Sequence, residues 1–158
     1  MLKIVLGFIS LFVFTYIGKI YSNKLKRGVL TLNDLCDFND KVINSVDFYK
    51  DDILSLAKKT NYSSEFGNLL KKSNYKKDEI KYPPIQLKSL DKAKNAAICQ
   101  YLNTIGKSDD KSQLEYLRKN KGIFEGWYFD SIKESKKLSP IYVKIGFLVG
   151  LVVFIILI

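Results

Sequence analysis

Ile105-Gly106-Lys107-Ser108-Asp109-Asp110-Lys111-Ser112-Gln113-Leu114 reads as a tight corner between two helices. Gly106 suits the left-handed position just past a helix end, where a Cβ would clash. Ser108 suits an N-cap, its hydroxyl accepting from the first unpaired amides of the next helix. Asp109 and Asp110 then fall in the first turn, where negative charge opposes the positive end of the helix dipole. A corner this short makes its two helices antiparallel neighbours, so the surrounding chain is read as all-α. Taken alone, such a corner is a common helical hairpin.

The flanking stretches carry the matching periodicity. Upstream, Ser89 is placed to cap a helix with Asp91 in its first turn. Leu90, Ala93, Ala97, Ile98, Tyr101, Leu102 and Ile105 mark its buried face. The small residues Ala93, Ala96 and Ala97 would allow close helix approach. Downstream, a helix from Ser108 shows an apolar side of Leu114, Leu117, Phe124, Trp127, Tyr128 and Ile132. Gly122 and Gly126 each weaken it by ~1 kcal/mol relative to Ala, which places any bend there. From Lys133 to Ser139 it turns polar and basic, as an approach to a membrane would.

Farther upstream, Thr31 is expected to start the first soluble helix. Leu32, Leu35, Val42, Val46, Tyr49, Ile53 and Leu56 form its apolar stripe. The stripe fits one helix to Lys59 or two broken near Asp47. Tyr62 to Lys72 is a short segment with Phe66, Leu69 and Leu70 on one side. Ser73 to Lys88 holds Pro83-Pro84 and reads as a loop. Lys71, Lys72, Lys76 and Lys77 make a basic knot there, read first as solvated surface and second as a contact for headgroups or an acidic partner.

Both ends are apolar. Leu2 to Tyr21, with Lys3 and Lys19 able to snorkel, approaches the ~20 residues of a spanning helix. A signal peptide is the rival, but Tyr16 to Ser22 offers no good small-x-small cleavage site. Lys24, Lys26 and Arg27 follow at once and put the chain beyond them in the cytoplasm by the positive-inside rule. At the other end only Lys144 interrupts Ile141 to Ile158. The 14 residues after it would span ~21 Å as a helix, and counting from Ile141 gives ~27 Å. A second spanning helix is expected, and Lys133, Lys136 and Lys137 before it agree with the same orientation. The expected organisation is a membrane helix at 2–21, a cytoplasmic all-α domain of about five or six helices at 22–140, and a membrane helix at 141–158.

Composition narrows the chemistry. The chain has 158 residues, no histidine, two cysteines (Cys36 and Cys99) and a net charge of +10. A histidine triad or histidine zinc site is therefore impossible, and two thiols do not make a structural zinc site. Lys3, Lys19 and Lys144 lie in the apolar ends, which leaves 23 of the 26 basic residues in the central segment against all 16 acidic ones. Only Arg27 and Arg118 are arginines, whereas a nucleic-acid binder more often uses arginine forks among aromatics. Attraction to an anionic membrane surface accounts for the charge more simply. Gly106-Lys107-Ser108 is not a phosphate loop: that needs a glycine five residues earlier and a preceding strand, but position 101 is Tyr and a helix precedes it. No catalytic, cofactor or metal constellation emerges, and enzyme activity has no support in the residues.

The letters of the corner are more specific than capping requires. Gly106-x-Ser108-Asp109-x-x-x-Gln113-Leu114, between amphipathic helices and ahead of a C-terminal apolar tail, resembles the stage III sporulation protein AB family. The N-terminal apolar segment, its basic flank and the overall length fit as well. The stretch Asp40 to Asp52 departs from the family layout, with no proline and with Val42 near the position where an acid is usual. The resemblance implies a helical domain similar to the cytoplasmic domain of inner-membrane platform proteins of type II secretion and type IV pilus systems. It implies a scaffold in the channel-like complex between mother cell and forespore. Its place would be the mother-cell membrane facing the forespore, and its partners the AA ATPase and other membrane subunits of that complex. Lys107, Asp109, Asp110 and Gln113 are then the candidate partner-binding residues, because Gln113 has no capping task. Two alternatives stand beside it: a membrane-surface, lipid-binding helical protein, or the platform protein of a secretion or pilus system. A two-helix pore such as a holin fits less well, since neither apolar segment has a polar stripe.

Overall fold

The computed structural model describes residues 2–48, 62–72, 86–105 and 109–157. Four helices form among them: α1 (Leu2–Phe48), α2 (Glu65–Lys72), α3 (Lys92–Thr104) and α4 (Asp110–Leu157). No strand occurs among the described residues. The all-α class stands, with four helices among the described residues; residues 49–61 and 73–85 of the central segment, over which the expected count of five or six also runs, lie outside them. Tyr49, Ile53 and Leu56 of the expected stripe, and the Pro83-Pro84 loop with Lys76 and Lys77, lie outside the described residues.

The largest difference from expectation is continuity. Thr31 does not start a helix, because α1 runs through it without a break. Lys19 to Thr31 contains no proline and is rich in lysine and leucine, so nothing stops the helix. Thr31 is instead fully buried, with its hydroxyl 3.3 Å from that of Ser89. Likewise α4 passes through Gly122, Gly126 and Pro140, so the last apolar run is the end of one long helix. α1 and α4 each contain a stretch long and apolar enough to cross a membrane.

The chain divides into two compact units, Met1–Lys26 with Asp130–Ile158, and Arg27–Phe129. These divisions fall beyond the apolar runs on both sides, at 26/27 and 129/130 where the sequence suggested 21/22 and 140/141.

The first unit is an antiparallel helix pair packed through glycines. A Cβ at Gly146 would lie 2.5 Å from the Phe14 carbonyl oxygen, and one at Gly150 would lie 2.9 Å from the Leu11 Cα. One at Gly18 would strike the Tyr142 carbonyl, and one at Gly7 would meet the Phe154 ring at 2.6 Å. The Ser22 and Ser139 hydroxyls hydrogen-bond to each other between the helices. Pairing 7 with 154, 11 with 150, 18 with 142 and 22 with 139 is one register held along both arms. The outward faces stay uncovered: Phe12 and Ile156 are 70% and 76% exposed. Of Ala93, Ala96 and Ala97, read as allowing close helix approach, the first two are exposed and Ala97 is half-buried.

The second unit has a core of Leu32, Leu35, Phe38 and Val42 from α1, Phe66 and Leu70 from α2, Ile98, Tyr101 and Leu102 from α3, and Leu117 and Phe124 from α4. Leu32, Leu35 and Val42 sit at the spacing the stripe predicted. Aromatic edges lock the centre, with Tyr101 and Phe124 rings 4.9 Å apart and nearly perpendicular, and Phe38 against Phe66 at 5.6 Å.

Phe124→Ala is expected to destabilise the second unit by about 3–5 kcal/mol. Gly146→Val forces backbone apart and is expected to lower the melting temperature in detergent, whereas Phe12→Leu leaves it unchanged. Circular-dichroism melts of the full chain check all three.

Candidate functional site

The corner sits at the start of α4. Asp109 caps that helix: its carboxylate accepts from the Ser112 N–H at 3.2 Å, and its carbonyl accepts from the Gln113 N–H at 2.9 Å. The helix is described from Asp110, with Asp109 as its cap, whereas the sequence put the start at Ser108, which lies outside the described residues. Asp and Ser are comparable caps, so sequence alone does not choose between adjacent ones. The same shift occurs at α3, where Asp91 accepts from the Lys94 N–H at 2.7 Å. Ser89, read as that cap, turns its N–H and hydroxyl to the Glu65 carboxylate at 3.1 and 3.0 Å.

Of the candidate partner-binding residues, Asp109 is exposed and Asp110 is the first residue of α4. Gln113 is buried, 7% exposed. Gly106, Lys107 and Ser108 lie outside the described residues. Lys24, Lys26, Arg27, Lys133, Lys136 and Lys137, expected to flank a membrane, are all exposed. Arg27 also borders a cavity of about 230 Å³ with Ser63, Ser64 and Glu65.

A polar link that the sequence reading passed over joins α1, α3 and α4. Asn39 is fully buried on α1. The Tyr101 hydroxyl donates to its Oδ1 at 2.7 Å, and its Nδ2 donates to the Leu117 carbonyl at 3.3 Å. The signal was present: Asn39 falls within the span of the apolar stripe between Leu35 and Val42, where a polar side chain needs partners. Burial holds the Tyr101 hydroxyl well above its usual pKa, so it stays a donor. Nearby, Lys121 on α4 bridges to Asp40 on α1 at 3.0 Å.

A shallow groove of about 580 Å³ runs along α3, lined by Gln86, Lys92, Asn95, Cys99, Gln100 and Asn103. Its amides serve the fold in part, since Asn95 holds the backbone of Leu87 through Oδ1 at 3.0 Å and Nδ2 at 3.1 Å. Cys36 is a free thiol, and the Cys99 sulfur accepts from the Asn103 amide at 3.4 Å. Burial, with Glu125 and Asp40 nearby, pushes the Cys36 thiol up to about 11, which leaves it protonated and unreactive at neutral pH. Among the described residues no cluster of three or more metal-ligating side chains occurs.

The features above define a helical chain with two apolar helices and no catalytic constellation among the described residues. No known family model, curated protein or solved structure matches it.

Tyr101→Phe leaves the Asn39 oxygen buried without its donor and is expected to destabilise by about 1–3 kcal/mol in urea titrations. The Asp91 carboxyl is held below its usual range by the Lys94 N–H, and the Asp109 carboxyl by the Ser112 hydroxyl and N–H. Depressed folded values mean that their stabilisation is full above the unfolded carboxylate range and is lost as pH falls through the folded values. Urea midpoints are therefore expected to drop below about pH 4. Asp91→Asn together with Asp109→Asn removes part of that drop.

Proposed function

We propose that this chain is a structural scaffold, held in a membrane by its two apolar helices, in the channel-like complex between mother cell and forespore. The observation that carries the sporulation assignment is the corner sequence Gly106-x-Ser108-Asp109-x-x-x-Gln113 and its resemblance to the stage III sporulation protein AB family. The two apolar helices that also feed the helical unit support a scaffold held in a membrane. In this reading the helical unit lies in the mother-cell cytoplasm, the side favoured by Lys24, Lys26, Arg27, Lys133, Lys136 and Lys137. It offers a surface to the AA ATPase and to other membrane subunits of the complex. Of the corner residues, exposed Asp109 faces such a partner, while buried Gln113 supports the helix that presents it.

A tagged full-length chain, recovered from membranes of sporulating cells, is expected to co-purify the sporulation ATPase and channel subunits. Recovery of pilus or secretion motors would keep the platform role and discard sporulation. Asp109→Ala is expected to reduce ATPase capture while helicity is retained. If capture is intact and only the melting temperature falls, the corner is structural.

A further inference from the structure

In the helix-pair unit the charges gather at one end. Lys24 and Lys26 lie on one arm and Lys133, Lys136 and Lys137 on the other, all exposed. The register that pairs Ser22 with Ser139 sets Lys24 level with Lys137. The inner side of this zone is occupied by the Ser22–Ser139 pair and buried Ser135, so the lysines are left on the outside. Only Asp130 and Glu134 oppose them within the unit, and the far end of the N-terminal arm carries Lys3 alone.

Between the lysines and the apolar arms lies an amphipathic belt. Tyr21 and Tyr142 stack at 5.9 Å, and exposed Tyr16, Lys19 and Lys144 share the zone. Tyrosines of this kind settle at headgroup depth, and lysine stems snorkel toward it. Lys144 and Lys137 are seven residues apart, ~10 Å along a helix, close to the ~5–8 Å depth of one headgroup layer. We propose that this end of the helix pair binds the phosphate groups of anionic phospholipids and enriches them around itself. The ammonium groups supply compact positive charges for phosphate, and their presence on both arms suits a layer that surrounds the pair better than a one-sided acidic protein. The proposal rests on the helix pair crossing a membrane but not on the sporulation assignment.

The full chain, reconstituted in phosphatidylcholine vesicles containing a minor fraction of phosphatidylglycerol, is extracted in mild detergent and its retained lipid quantified. The retained phosphatidylglycerol to phosphatidylcholine ratio is expected to exceed the bulk ratio by roughly fivefold. It is expected to fall toward bulk in high salt and in a variant combining K24Q, K26Q, K133Q, K136Q and K137Q whose helicity is unchanged. K88Q with K92Q, exposed lysines of the other unit, is expected to leave it intact. Retained lipid at the bulk ratio, or equal loss in the K88Q/K92Q control, overturns the proposal. Failure of the wild-type chain to resist carbonate extraction from pure phosphatidylcholine overturns the membrane reading and this proposal together.

Discussion

The helical unit depends on one buried amide. Asn39 sits inside an apolar stripe, where an unpartnered side chain would cost several kcal/mol of desolvation. It is satisfied by a hydroxyl from α3 and by offering a donor to a carbonyl of α4. Three helices are thereby fixed in rotation and in height, which apolar contact alone does not do. The Tyr101 ring that carries the hydroxyl also packs against Phe124, so polar and aromatic contacts select the same arrangement.

The helix-pair unit, Met1–Lys26 with Asp130–Ile158, solves a different problem. Between two apolar helices in lipid there is little hydrophobic gain from association, so close backbone approach and dispersion take over. Gly18 and Gly146 bring main chains together, and the serine hydroxyls pair where the arms reach their polar end. Core complementarity in one unit and backbone proximity in the other are thus separate stabilising mechanisms within one chain.

The helical class, the apolar ends and most core positions were legible in the sequence, because period and hydropathy report them directly. Leu32, Leu35, Val42, Ile98, Leu117 and Phe124 are core where the spacing put them. Helix limits were less legible. Adjacent capping candidates such as Ser108 and Asp109 differ little in intrinsic preference, and a helix that runs through Thr31 has no local mark there to distinguish it from one that begins there. Asn39 and the glycine register escaped because each takes its meaning from a residue about sixty or more positions away. Of the candidate site, Asp109 stayed exposed, whereas the burial of Gln113 depends on packing that no spacing rule contains.

Pro140 lies inside α4, so the carbonyl four residues earlier, at Lys136, has lost its helical donor. In hydrocarbon such a carbonyl would be left without water and would cost several kcal/mol. In the hydrated zone beside Lys136 and Lys137, water can serve it at little cost. In the membrane-held arrangement proposed above, sliding the arm farther into a bilayer would dehydrate that carbonyl, so the proline would serve as a depth stop and mark where lipid must end.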